Sequence, residues 1–210
     1  MLKGKRLPRD QSQQIIRMPC VSSMGGVYGY GRSASTATTS LVTSGLVIQL
    51  DAYNVSSYPG TGTSVTDITG GYTHTLTDGA TYLSLNGVKT FDCTTSSKRV
   101  VVNGIGPTLP TSGYTYVSWA RIITNSAGWR TLYRTSPNDH PIITQIATDN
   151  LGYYDNDTNS FRDSGYDVTA VKDLWVQYTV VGDNTSSIFY INGVQVGTTN
   201  TGAGGNAHWT

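Results

Sequence analysis

Residues 174–199, LWVQYTVVGDNTSSIFYINGVQVGTT, decide the fold class. Val176, Tyr178 and Val180 alternate with Trp175, Gln177, Thr179 and Val181, the period of two expected of a strand with two unlike faces. Gly182, Asp183, Asn184, Thr185 and Ser186 are turn formers, after which Ile188, Phe189, Tyr190 and Ile191 resume the strand signature. Asn192-Gly193 is the dipeptide best suited to a two-residue type I′ turn, because both central positions need positive φ. Val194, Gln195 and Val196 then run back. The spacing predicts three antiparallel strands within these 26 residues.

The composition extends that reading to the whole chain. Of 210 residues, 24 are Gly and 14 are Tyr, only 13% are charged, and all 13 acidic residues are Asp. With no Glu and much Thr, Ser, Val and Tyr, helix formers are scarce and strand and turn formers abundant. The length suits one full-sized β-sandwich with a tail. No apolar run approaches the roughly 20 residues needed to cross a bilayer, so no membrane span is expected. Net charge is +1, but residues 1–40 carry +5 and residues 41–210 carry −4, a basic tail on a mildly acidic body.

Taken in order, residues 1–44 are basic and Gly/Tyr-rich, with Tyr28 and Tyr30 set among Gly25, Gly26, Gly29 and Gly31. They hold too little apolar surface for a core and read as an extended arm, either a plain linker or an anchor that orders against a partner. The start lacks an apolar leader core, so no secretory signal peptide is expected. Cys20 and Cys93 can form at most one bridge, and reduced thiols are favoured. Residues 45–210 form the predicted body. Leu46, Val47, Ile48 and Leu50 read as a buried strand, and Asn86-Gly87 as a second hairpin turn inside residues 81–93. Residues 115–123 alternate, with Tyr116, Ser118, Ala120 and Ile122 on one face and Thr115, Val117, Trp119, Arg121 and Ile123 on the other; Trp119 is expected in the core. SPNDHP (136–141) and YYDNDTNS (153–160) read as polar loops between strands. In all, about eleven to thirteen short strands are expected, as in a two-sheet antiparallel sandwich.

Three stretches carry a family resemblance. WVQYTVVGDN followed by SIFYINGVQVGT, YTYVSWARI at 114–122, and GLVIQLDAYNVSSYPGTGTSVTDITG at 45–70 resemble the penultimate hairpin, the central strand and the opening strand and loop of concanavalin A-like, laminin G-like jelly-roll domains. The resemblance implies an all-β, two-sheet antiparallel jelly-roll sandwich. It also implies a further strand after Val194–Thr199, which residues 202–210 do not supply. An unfinished sheet would leave an open edge, to be covered by the N-terminal arm, a neighbouring subunit or a continuation of the chain, the last two being favoured.

The chemistry is then weighed residue by residue. Glucanases that resemble this fold use paired Glu in an E-x-D-x-x-E pattern, and a chain without Glu cannot follow them; Asp155 and Asp157 are the remaining carboxylate pair and read as solvated. No nucleophile elbow, C-x-x-C or H-x-x-x-H is present, so no catalytic residue and no zinc site is expected. Asp155, Asn156, Asp157, Thr158 and Asn159 open like a calcium loop, D-x-D-x-N, without its later Gly and Glu. No cofactor is therefore expected, with calcium the one candidate. Trp129, Tyr153, Asp155 and Asn156, with Asp139, His140 and Asp157 beside them, supply the aromatic and acceptor groups of a glycan site. The arm's charge would give nucleic acid only non-specific affinity.

Two functions follow as expectations. Jelly-roll domains behind short Gly-rich leaders resemble minor capsid, decoration or fibre components, which implies a non-enzymatic virion protein held to other subunits by its arm and open edge. The other is a lectin-like attachment module.

Overall fold

The structure, a computed structural model, describes residues 13–14, 44–85, 87–94, 98–103, 113–123, 128–134, 139–156, 158–183 and 186–201. Fourteen strands lie among the described residues: β1 (Gln13–Gln14), β2 (Ser64–Thr66), β3 (Thr73–Thr77), β4 (Thr81–Leu85), β5 (Val88–Asp92), β6 (Arg99–Val101), β7 (Tyr114–Ala120), β8 (Arg130–Tyr133), β9 (His140–Thr144), β10 (Asn150–Asp155), β11 (Ser160–Asp167), β12 (Val176–Gly182), β13 (Ser186–Ile191) and β14 (Val194–Thr201). The only helical element among them is one 3-10 turn, Val168–Val171, which Asp167 caps by accepting from the Thr169 N–H. The all-β expectation holds, and no described helix is long and apolar enough to cross a membrane.

The hairpin stretch folds as its sequence dictates. Asn192 and Gly193 take φ of 51° and 78°, and Ile191 pairs with Val194, so the loop has two residues. Leu85 pairs with Val88 in the same way around Gly87, whose φ is 78°. The strands join into a five-stranded sheet, β1-β8-β9-β10-β11, and a four-stranded sheet, β14-β13-β12-β7, with smaller sheets β2-β3-β6 and β4-β5.

The two large sheets form a sandwich. Leu132, Ile142, Leu151 and Tyr153 from one meet Ala120, Tyr178, Val180, Phe189 and Ile191 from the other in a single buried cluster. A second cluster, including Tyr58, Val65, Leu76, Phe91 and Val100, fills the smaller sheets. Its rings are ordered, with Tyr58 edge-on to Phe91 at 5.2 Å. Cys93 is buried there, while Cys20 lies outside the described residues.

Two sequence expectations change. Residues 46–50 are not a strand: one backbone bond, Ile68 N–H to the Gln49 carbonyl, and the Asp67 carboxylate accepting from Gln49 N–H hold them instead. Trp119 is not in the core. In β7 the buried side is Ser118 and Ala120, and Trp119 shares the outer side with Thr115 and Val117. The end of β14 is approached by β11 of the other sheet. Asn200 Nδ2 donates to the Arg162 carbonyl at 2.8 Å and Thr198 Oγ1 to that of Ser164 at 3.3 Å. Gly197, with φ 65°, sits so close to the Ser164 carbonyl that a Cβ there would clash.

Of the arm, only β1 is described, and it pairs in parallel with β8, Gln13 opposite Arg130 and Gln14 opposite Thr131. The rest of residues 1–43 lies outside the described residues, as do 202–210.

Candidate functional site

The residues singled out as a glycan site come together, but as strand residues rather than loop tips. His140 and Pro141 begin β9, a central strand between β8 and β10. A central proline is tolerated because the ladder is irregular on both sides, with register shifts at Thr131/Tyr133 and at Gly152/Tyr154. Tyr153, Tyr154 and Asp155 end β10 and are 1%, 4% and 5% exposed, while Asp139 and His140 are 3% and 2% exposed. The polar-loop assignment of 139–141 and of 153–155 is thus corrected: both faces of β9 and β10 are covered, so their polar groups must bond within the protein. Residues 135–138 and Asp157 lie outside the described residues.

The set divides by face. Tyr153 points into the sandwich core, where its hydroxyl donates to Asp139 Oδ2 at 3.0 Å, and Asp139 Oδ1 accepts from the Asn156 N–H at 3.0 Å. Asp155 Oδ1 accepts from Thr158 N–H at 3.0 Å and closes the hairpin turn. Across the sheet, Tyr154 lies opposite Phe161 on one side and His140 on the other. Half-buried Trp129 meets Tyr154 and Phe161 edge-on, centroids 5.2 Å and 5.3 Å apart. Gly152 makes room for this group, since a Cβ there would lie 2.6 Å from the Phe161 ring and against the Arg162 carbonyl.

Electrostatics agree with a structural assignment. Burial first, then the nearby Arg134 charge, pushes His140 down to about 3, so the ring is neutral at pH 7. Its Nδ1 shares a 2.7 Å hydrogen bond with Thr131 Oγ1. Burial, reinforced by the Asp139 charge, raises the Tyr153 phenol, which stays protonated as the donor its geometry requires. Arg130, 3% exposed, is paired to Asp149 at 2.8 Å, and Asp149 also bonds Lys172. Burial alone would raise the Asp149 carboxyl; hydrogen bonds and charge from Lys172 and Arg130 outweigh it and hold it low. Chemically, the cluster orders β8–β11. No group of three or more metal-ligating side chains gathers among the described residues.

The residues missed by sequence reasoning lie on the other sheet. Register places Trp119 opposite Gln177, Thr179 between Val117 and Tyr190, and Tyr190 opposite Gln195, all on the side turned away from the core. The signal was present: Thr115 and Arg121 share Trp119's face in the alternation, and polar residues of that kind mark a solvent side.

Two largely antiparallel sheets packed face to face, with the hairpin sheet presenting its outer side to solvent, define a concanavalin A-type sandwich, which fits a non-enzymatic or carbohydrate-binding role. A laminin G family model, described as the concanavalin A-like lectin/glucanases superfamily, matches residues 94–210, and the chain belongs to this family. The match covers β6 to β14, and β1 to β5 precede it. Comparison with curated proteins and with solved structures finds no match.

Proposed function

We propose that the protein is a non-catalytic structural component of a particle, a virion, in which the sandwich is held to neighbouring subunits by its N-terminal arm. The observation behind this reading is the pairing of β1 with β8: within the chain, two residues of the arm add to a sheet edge through the backbone, a mode of attachment that an arm can equally make to the edge of a neighbouring copy. The +5 arm and −4 body add an electrostatic attraction between arm and sandwich surfaces, including those of neighbouring copies. A non-catalytic role is supported by the use of Asp139, Asp149 and Asp155 as acceptors within the fold.

Deleting residues 1–40 tests it. The truncated chain is expected to keep its β-sheet circular dichroism but to disappear from the particle fraction of a density gradient. Truncated protein that still sediments with particles at the full-length level refutes the proposal. A second reading, attachment to glycans, is favoured by the outer face of the hairpin sheet.

A further inference from the structure

We infer that the outer edge of β8 is an exchangeable strand seat, taken by the chain's own arm where copies are dilute and by Gln13 and Gln14 of a second copy where copies are crowded. This deepens the reading of the arm as a fastening and rests on it; it names the seat, its second occupant and the condition that selects between the two.

The seat is built by the sandwich itself. β8 has β9 on one side and β1 on the other, so the arm covers what is otherwise a margin of the larger sheet. The two residues that receive it, Arg130 and Thr131, are both buried. Arg130 is paired to Asp149, which also bonds Lys172, and Thr131 Oγ1 shares its bond with His140 Nδ1. These bonds reach the body rather than the arm, so residues 130–131 are held extended before any strand arrives, and ordering the edge costs little on docking. The margins at β11 and β14 differ. Their ladders carry register shifts and the two strands meet through Asn200 and Thr198, which blunts them as strand acceptors.

The seat is also short. The β8 ladder with β9 shifts register between Thr131 and Tyr133, just beyond the residues that pair with β1, and such a shift ends a regular edge. Two residues of pairing make a weak attachment that opens and recloses readily, so the supply of arms decides the occupant. Residues 15–43 separate β1 from Ser44, where the described body begins. A chain of that length spans up to roughly 100 Å, against a radius of gyration of about 17 Å for a domain of this size. An arm able to return to its own β8 therefore reaches the β8 of a neighbour as well. The same two glutamines would meet the same edge in the same parallel register, and the basic arm is attracted equally to either acidic body. A tethered arm presents itself at roughly millimolar effective concentration, which a neighbour's arm matches only where copies are packed at comparable density, as in a particle. Self-seating thus caps the edge in dilute solution and gives way on assembly.

Full-length protein with a benzophenone amino acid in place of Gln14 is to be mixed with a large excess of heavy-isotope-labelled wild-type protein, irradiated and digested. Mass spectrometry then separates arm peptides joined to the β8 of their own light chain from those joined to a heavy one. Joins are expected at residues 130–131, with the heavy fraction about one in a hundred at ~10 µM protein and about half at ~1 mM, a rise of roughly fifty-fold. Joins that stay light at every concentration overturn the inference, because the seat would then belong to the chain's own arm. Heavy joins that fall away from β8, or no joins at all, also overturn it. In particles, a variant carrying both Gln13→Pro and Gln14→Pro, which lacks the backbone donors of β1, is expected to be lost from the particle fraction as the chain without residues 1–40 is. If the proline variant sediments at the full-length level while the truncated chain is lost, the arm still fastens the protein but not through this seat, and the inference falls alone. If the truncated chain also sediments with particles, both fall.

Discussion

Between pH 6.5 and pH 4.5 the unfolding free energy is expected to fall by roughly 2 kcal/mol in all on account of His140 alone. The sign follows from linkage. The native ring, buried and bonded to Thr131, titrates at about 3 against an ordinary 6.5, so below pH 6.5 the unfolded chain takes up a proton that the native chain refuses. The contribution is fully present above pH 6.5 and is lost as pH falls toward 3, roughly 5 kcal/mol over the whole span. His74, also buried and pushed down by desolvation, adds to the same slope. Asp149 and Asp67 act in the same direction but only in more acid solution, because their carboxyls are held below the usual range. Urea titrations at pH 7 and pH 4.5 measure the effect, and His140→Gln should remove its share of the slope. Should that variant fail to fold, an NMR titration serves equally: the His140 imidazole must show no midpoint above pH 4.5. A flat stability profile, or an imidazole titrating near 6.5, contradicts the buried cluster.

The second large effect concerns the seam of the sandwich. Phe189 is 0% exposed and stands between Val180 and Val196 on the inner face of the hairpin sheet. Phe189→Ala removes the ring from the centre of the larger core, and both sheets are pinned by their own ladders, so the cavity cannot close fully. A loss of about 3–5 kcal/mol is expected in chemical denaturation. Tyr190→Ala, one residue along and facing outward, should cost well under that. Equal costs at the two positions would mean that the two faces have been assigned the wrong way round.

That contrast shows what could be read from the sequence. The hairpins were legible because a two-residue Asn-Gly turn is a local constraint, and Asn192 and Gly193 meet it with positive φ. The family was legible through the same strands. Which face is inward was less so. Trp119 looks like core material, yet Tyr178, Phe189 and Tyr153 already fill the interior and the alternation puts Trp119 outside. The candidate site was legible as a set of residues that belong together but not as a buried one. Asp139, His140, Tyr153 and Asp155 look like loop residues because each is polar, and only their mutual bonds, made between strands distant in sequence, allow them to be covered. Residues 46–50 mislead in the opposite direction: an apolar run passes along the second core without a ladder, secured by the turn at Asp67.

The assignment of inner and outer faces in the two sheets is tested most directly by comparing the denaturation midpoints of Trp119→Ala and Tyr154→Ala. Trp119→Ala, on the outer side of β7, should keep its midpoint. Tyr154→Ala, which removes a buried ring packed against Trp129, should lower it. The reverse pattern, with the midpoint lowered at Trp119 and kept at Tyr154, would contradict the account.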